Sequence, residues 1–141
     1  MDLSSLKTQA NTVDFIPKSP VAPFADLPIV LKVVTQDSEQ VKAIERRIIN
    51  RRLQIAKTTR RPNITSEDLE EENLQKIAGS IVGWEGVNLN GALPYSHDNA
   101  IRVLRELPWL FEQVEEFVTD RSNFLKTSDS ASSTTPSSSS N

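Results

Sequence analysis

The single histidine stands in Ser96-His97-Asp98, which holds the three residue types of a hydrolase triad. Adjacent residues cannot form one, because a triad needs side chains converging from separate elements. Ser96 is better read as a helix cap, with Asp98 in the first turn, where a carboxylate suits the helix dipole. Carboxylate pairs occur in Glu70-Glu71-Glu72 and Glu115-Glu116. Neighbours along a helix do not face each other, so these read as solvated faces rather than an acid and base flanking a substrate. The segment from Lys42 to Arg61 holds eight of the sixteen basic residues, a density that could form a phosphate-binding face. The acidic run from Glu67 to Glu72 follows closely, so antiparallel packing of two helices could neutralise both clusters, and charged partners could equally meet them. The four glycines, Gly79, Gly83, Gly86 and Gly91, make no phosphate loop, since no Gly-Lys-Ser/Thr sequence follows a strand.

With no cysteine, disulfides, thiol catalysis and thiolate metal sites are excluded, and one histidine puts the usual zinc sets out of reach. No catalytic residue, metal or cofactor is therefore expected, and the chain reads as a binding protein, not an enzyme. A net charge of −3 gives no global attraction to nucleic acid or an anionic membrane. No stretch of about 18 apolar residues is present to span a bilayer, and Met1 to Lys7 hold no apolar run of signal-peptide length. The chain is expected to stay in the compartment where it is made.

The elements that would position these residues follow from periodicity. Residues 1–12 are polar and aperiodic and read as a flexible lead-in. Pro17, Pro20, Pro23 and Pro28 keep the next segment extended. The runs Val13 to Ile16 and Ile29 to Val34 are β-branched, and a short sheet or hairpin over 13–34 is expected, its pairing left open. From Ser38 to about Thr58 a helical period takes over, with Asp37 as expected N-cap and Gln40 completing a capping box. Val41, Ile44, Ile48 and Ile55 share its inner face, and Arg46, Arg47, Arg51 and Arg52 face elsewhere. Arg61-Pro62 breaks this helix, and Thr65 or Ser66 starts another.

The second helix buries Leu69, Leu74, Ile77, Ala78, Ile81 and Val82 and continues up to Gly83 and Trp84. Asn90-Gly91 signals a tight turn, Ser96 caps a third helix with Ala100, Ile101, Leu104 and Leu107 inside, and Pro108 opens a fourth. From Thr127 the chain is nearly all Ser and Thr and reads as disordered. The expected fold is mainly α within an α+β class. A single domain spans 13–126, with a β-containing part at 13–34 and a helical part at 38–126, followed by a disordered tail at 127–141.

Six short stretches of residues then carry a resemblance. Gly83-Trp84-Glu85-Gly86-Val87 is followed by Asn90-Gly91-Ala92-Leu93-Pro94-Tyr95-Ser96 and Asn99-Ala100. Pro108-Trp109 and Glu112-Gln113-Val114 lead to Asp120-Arg121-Ser122-Asn123-Phe124-Leu125. In order and spacing these resemble the tail assembly chaperones of long-tailed bacteriophages and prophages. The likeness extends upstream to Arg46-Arg47-Ile48-Ile49-Asn50-Arg51-Arg52 and Leu69-Glu70-Glu71-Glu72, so it covers roughly residues 36 to 125. Tyr95 stands where phenylalanine is usual, and His97 or Asp98 where glutamate is expected.

The resemblance implies a non-enzymatic protein of the host cell cytoplasm that binds the tape measure protein, keeps it soluble, helps recruit the tail tube protein, and is absent from the mature virion. It also implies that a longer frameshifted product can accompany such a chain. Trp84, Trp109, Phe111 and Phe117, with Arg46, Arg47, Arg51 and Arg52, are the expected partner-binding residues, although the aromatic ones would equally serve a core. Self-association is compatible with the exposed strands. The alternative is a structural tail or head-tail connector component retained in the virion. A nucleic-acid-binding regulator using the four arginines is a third reading, against which the acidic pI of about 5.2 argues.

Overall fold

A computed structural model describes residues 2–8, 11–58 and 63–125. The expected disordered tail at 127–141 and the break at Arg61-Pro62 lie outside the described residues. The chain forms β1 (Val13–Phe15), β2 (Val30–Val33), α1 (Glu39–Thr58), α2 (Ser66–Gly79), β3 (Ile81–Glu85), α3 (His97–Glu106) and α4 (Pro108–Thr119). Short 3-10 turns lie at Leu3–Leu6 and Arg121–Phe124. The fold is mainly α within the α+β class.

The three strands make one antiparallel sheet in the order β1-β2-β3. Val13 pairs with Val33 and Phe15 with Leu31, while Leu31 also pairs with Trp84 across a bulged β2–β3 ladder. Alternation along β2 sorts the two faces. Leu31 and Val33 are buried against the helices. Lys32 points the other way, where its ammonium meets Asp14 at 2.8 Å and Glu85 at 3.6 Å. The core joins these strand residues to Leu74, Ile77 and Ala78 of α2, Ala100, Val103 and Leu104 of α3, Leu110, Val114 and Val118 of α4, and Phe124.

β3 corrects the expectation that the second helix runs to Trp84. The helix stops at Gly79, and the backbone N–H of Ser80 closes it on Ile77 and Ala78 carbonyls. Ile81 is buried all the same, but on a strand. Ile81, Val82 and Trp84 are β-branched or aromatic, and β2 offers them an unpaired edge, so pairing across the chain overrides the helical spacing.

The start of α1 differs too. Ser38, not Asp37, caps it, accepting from the Val41 N–H at 3.4 Å. The Asp37 carboxylate instead takes both Nε (2.8 Å) and Nη2 (3.0 Å) of Arg121, and Thr8 adds a hydroxyl at 3.3 Å. Thr8 also bridges Leu125, so residues from the expected flexible lead-in meet the far end of the folded chain. The other helix starts follow their expected caps. Thr65 and Asp68 form a reciprocal capping box, Ser96 accepts from Asn99, and Pro108 occupies the first turn of α4.

Candidate partner-binding surface

α1 and α2 form an antiparallel hairpin whose root is in the core and whose distal half is not. At the root, Val41 and Ile44 are buried, and the Ile44 side chain lies where a Cβ on Gly79 would stand, 2.1 Å from its Cδ1. Farther out the pair is held by ions, Lys76 to Glu45 at 3.8 Å and Arg52 to Glu72 through a forked contact. Arg105 of α3 clamps the α2 side by meeting Glu71 at 2.6 Å. That guanidinium, backed by the Gln75 amide and the more distant Arg51, holds the Glu71 carboxyl below its ordinary range against the opposing effect of burial.

Among the described residues, no third element covers the distal half of the helices beyond these ties. Ile49, Leu53 and Ile55 on α1, Leu69 on α2 and Ile64 just before it are 42 to 56% exposed. Leu53, Ile55, Ala56 and Ile64 line a groove of about 340 Å³ with Arg51, Arg52, Asp68 and Glu71 at its edges. Ile48, Ile49 and Leu69 line a shallower one beside Glu45 and Lys76. Expected inner-face residues Ile55 and Leu69 are thus outside the core. The pattern of apolar floor and charged rim is that of a helix-accepting surface.

The four arginines do not act as one face. Arg46 is drawn to Glu39 at 3.0 Å and Arg52 to Glu72, while Arg47 and Arg51, one turn apart, are exposed. Half of the basic set is thereby neutralised within the hairpin, which weakens the case for a phosphate-binding face. The four aromatic residues are half-buried and pack against the core. Trp84 and Trp109 line an apolar pocket of about 180 Å³ with Leu31, Val103 and Leu107. Phe117 stacks on Phe15 at 4.7 Å and meets Phe124 edge-on at 5.8 Å.

Residues of the recognised motifs turn out to be locks between elements. Trp84 Nε1 donates to the Leu93 carbonyl at 2.9 Å, and Tyr95 donates its hydroxyl to Ile81 at 2.6 Å while standing edge-on to Trp84. Burial raises the Tyr95 pKa. Asn99 Nδ2 reaches Pro94 at 2.9 Å, and Asn90 and Gly91 both take positive φ in the turn between. At the chain's other seam, Asp120 caps the last turn through Ser122, and Asn123 Nδ2 holds the Phe117 carbonyl at 2.9 Å. His97 is half-buried beside Gly79. Among the described residues, no group of three or more His, Asp or Glu side chains is placed to hold a metal ion.

The comparison with protein families matches residues 37–132 to the family described as YdaY prophage protein. The chain belongs to that family. It is a phage or prophage protein, and no curated protein and no solved structure matches it. The YdaY region begins at Asp37, the residue that Arg121 grips, and takes in the whole hairpin, β3, α3 and α4. β1 and β2 lie before it, so the YdaY region contributes only one strand of the sheet.

No helix among the described residues is long and apolar enough to cross a membrane. What sequence reasoning missed in this YdaY protein is the exposure of the hairpin's apolar residues: Leu69 was expected inside, and Ile49, Leu53 and Ile64 were assigned no surface role. For Ile49 and Leu53 the signal was that they widen the α1 stripe of Val41, Ile44, Ile48 and Ile55 to about half of the helix circumference.

Proposed function

We propose that this prophage protein is a tail assembly chaperone without enzymatic activity. It binds the tape measure protein in the host cytoplasm, keeps it soluble, helps recruit tail tube subunits and leaves before the particle is complete. The observation that carries the reading is the uncovered apolar hairpin surface formed by Ile49, Leu53, Ile55, Ile64 and Leu69. The motif resemblance and the prophage family membership supply the biological setting.

A client helix with an apolar stripe can lie along this surface, with Arg47 and Arg51 meeting acidic residues on its flank and Glu67, Asp68 and Glu70 meeting basic ones. The magnitude favours reversible holding. Each of the five side chains is about half exposed, so covering it contributes on the order of 1 kcal/mol. Their sum, roughly 5 kcal/mol, barely offsets an association cost of about 4 kcal/mol or more. One hairpin therefore holds a client weakly, and retention of a long client follows from several copies along its length. Tube subunits that cover the same client surface displace them by mass action.

The test is coexpression with the tape measure protein of the same genome, using the wild type and the double variant Leu53→Asp/Leu69→Asp. Both leucines are more than half exposed, so the variant keeps its fold. The expected result is a soluble tape measure that copurifies with the wild type and is insoluble with the variant. A tape measure that stays insoluble with both, or soluble with both, overturns the reading.

A further inference from the structure

A second groove shares no lining residue with the hairpin. It runs between the segment after β1 and α4, measures about 570 Å³, and has Phe15, Trp109 and Phe117 among its apolar walls. The segment is held as a small pin of its own. Ser19 N–H donates to Ala25 at 2.8 Å, Leu27 N–H to Pro17 at 2.8 Å, and Lys18 pairs across to Asp26. Gln113 of α4 grips the pin in both directions, accepting from the Lys18 N–H at 2.8 Å and donating to the Lys18 carbonyl at 2.9 Å. The groove is thus preformed, and its size suits a segment of a few residues.

Two further observations concern its rim. Phe24 is held at a φ of 60°, a conformation that a bulky side chain rarely adopts, yet 57% of it stays exposed at the lip. The strain gains it no burial in the free chain, which is the pattern of a residue kept in place for a partner. Glu112 and Glu116 line the opposite wall one helical turn apart. Both are exposed and neither has an ion pair among the described residues. Like charges at that spacing repel, and a cation between them relieves the repulsion. The rim's own cation, Lys18, is taken by Asp26 at 2.8 Å and does not serve.

We propose that this groove docks a cationic, apolar peptide segment of a partner protein. Lysine or arginine heads meet Glu112 and Glu116, and their alkyl stems or neighbouring apolar side chains lie on Phe24, Trp109, Phe15 and Phe117. Aromatic faces attract such heads, and the stems cover apolar surface while the charge stays at the rim. An acidic segment, a phosphopeptide or a nucleic acid would meet the carboxylates and be repelled. The inference goes beyond the chaperone reading, since it concerns a separate surface and needs no tape measure protein.

The experiment uses the full chain and two dye-labelled synthetic peptides, one alternating Lys with Leu and Phe and one with Glu in place of every Lys, followed by fluorescence anisotropy. The wild type is expected to bind the lysine peptide and not its glutamate counterpart. Glu112→Lys/Glu116→Lys should weaken the lysine peptide by about tenfold or more and gain the glutamate peptide. Phe24→Ala should weaken it several-fold, and Leu53→Asp/Leu69→Asp should change nothing. Equal binding of the two peptides, no binding of the lysine peptide, an unaltered affinity in the charge-reversed protein, or loss in the hairpin variant would each overturn the proposal. Peptide binding tests this groove and tape measure solubility tests the chaperone reading, so failure of the one and failure of the other are separate outcomes.

Discussion

The hairpin's presentation depends on one close contact at its root, and a double-mutant cycle can measure it. A methyl on Gly79 would stand 2.1 Å from Ile44 Cδ1 and 3.6 Å from Cγ1. The first distance is a clash and the second an ordinary contact. Ile44 is only 7% exposed, so its terminal methyl has little room to swing away. Gly79→Ala is therefore expected to cost about 1–3 kcal/mol through overpacking. Ile44→Val removes the offending methyl and alone costs about 0.5–1.5 kcal/mol.

In the double variant the alanine methyl occupies the vacated space, so the expected cost is no more than that of Ile44→Val alone. The coupling energy then equals most of the Gly79→Ala penalty, about 1–3 kcal/mol, with a sign that favours the pair. Urea unfolding of the four proteins, followed by circular dichroism, yields the four free energies. Additive costs, with a coupling below about 0.5 kcal/mol, would refute the placement of Ile44 against Gly79. α1 would then pack on α2 in some other register.

Two glycines with positive φ should respond differently. Gly86 (φ 78°) would place a Cβ 2.7 Å from the Pro28 carbonyl, whereas Gly91 (φ 116°) has open space, so Gly86→Ala should destabilise by at least about 1 kcal/mol more than Gly91→Ala in urea unfolding. Tyr95→Phe removes the hydroxyl that meets the Ile81 carbonyl and is expected to cost about 1 kcal/mol by the same assay, with no change in fold. The Arg121 guanidinium, first among its causes, lowers the Asp37 pKa below 3.8. A lowered carboxylate stabilises the fold above its unfolded pKa, and the contribution is lost as pH falls through the folded value. Arg121→Gln should therefore lower stability slightly at neutral pH, since the pair is solvent-screened, and not at all well below pH 3.8, as acid titrations of Tm would show.

The starts of α2, α3 and α4 were legible because each is written within a single turn of chain. Thr65 with Asp68, Ser96 with Asn99 and Pro108 in a first turn need no knowledge of the rest of the chain. β3 was not legible for the opposite reason. Leu74, Ile77, Ala78 and Ile81 keep helical spacing across Ser80, and only the unpaired edge of β2, about fifty residues earlier, makes Ile81–Glu85 a strand. Asp37 fails in the same way, since its short side chain suits an N-cap locally and Arg121, 84 residues on, claims it.

The candidate surface was the least legible part, and its chemistry explains why. A lock such as Trp84 to Leu93 or Asn123 to Phe117 needs a particular donor at a particular place, so it leaves a word in the sequence. A surface that receives an apolar helix needs only area, and Ile49, Leu53, Ile64 and Leu69 are the same residues that a core would use. They are told apart by what fails to cover them among the described residues: α3 and α4 bury the inner end of α2 at Leu74, Ile77 and Ala78, and reach outward to Glu71 and Asn73 through Arg105 and Glu115. Recognition by motif thus returned the frame that holds the hairpin and parts of the hairpin itself, Arg46 to Arg52 and Leu69 to Glu72, while the exposure of its apolar residues became visible only once the reach of the neighbouring helices was known.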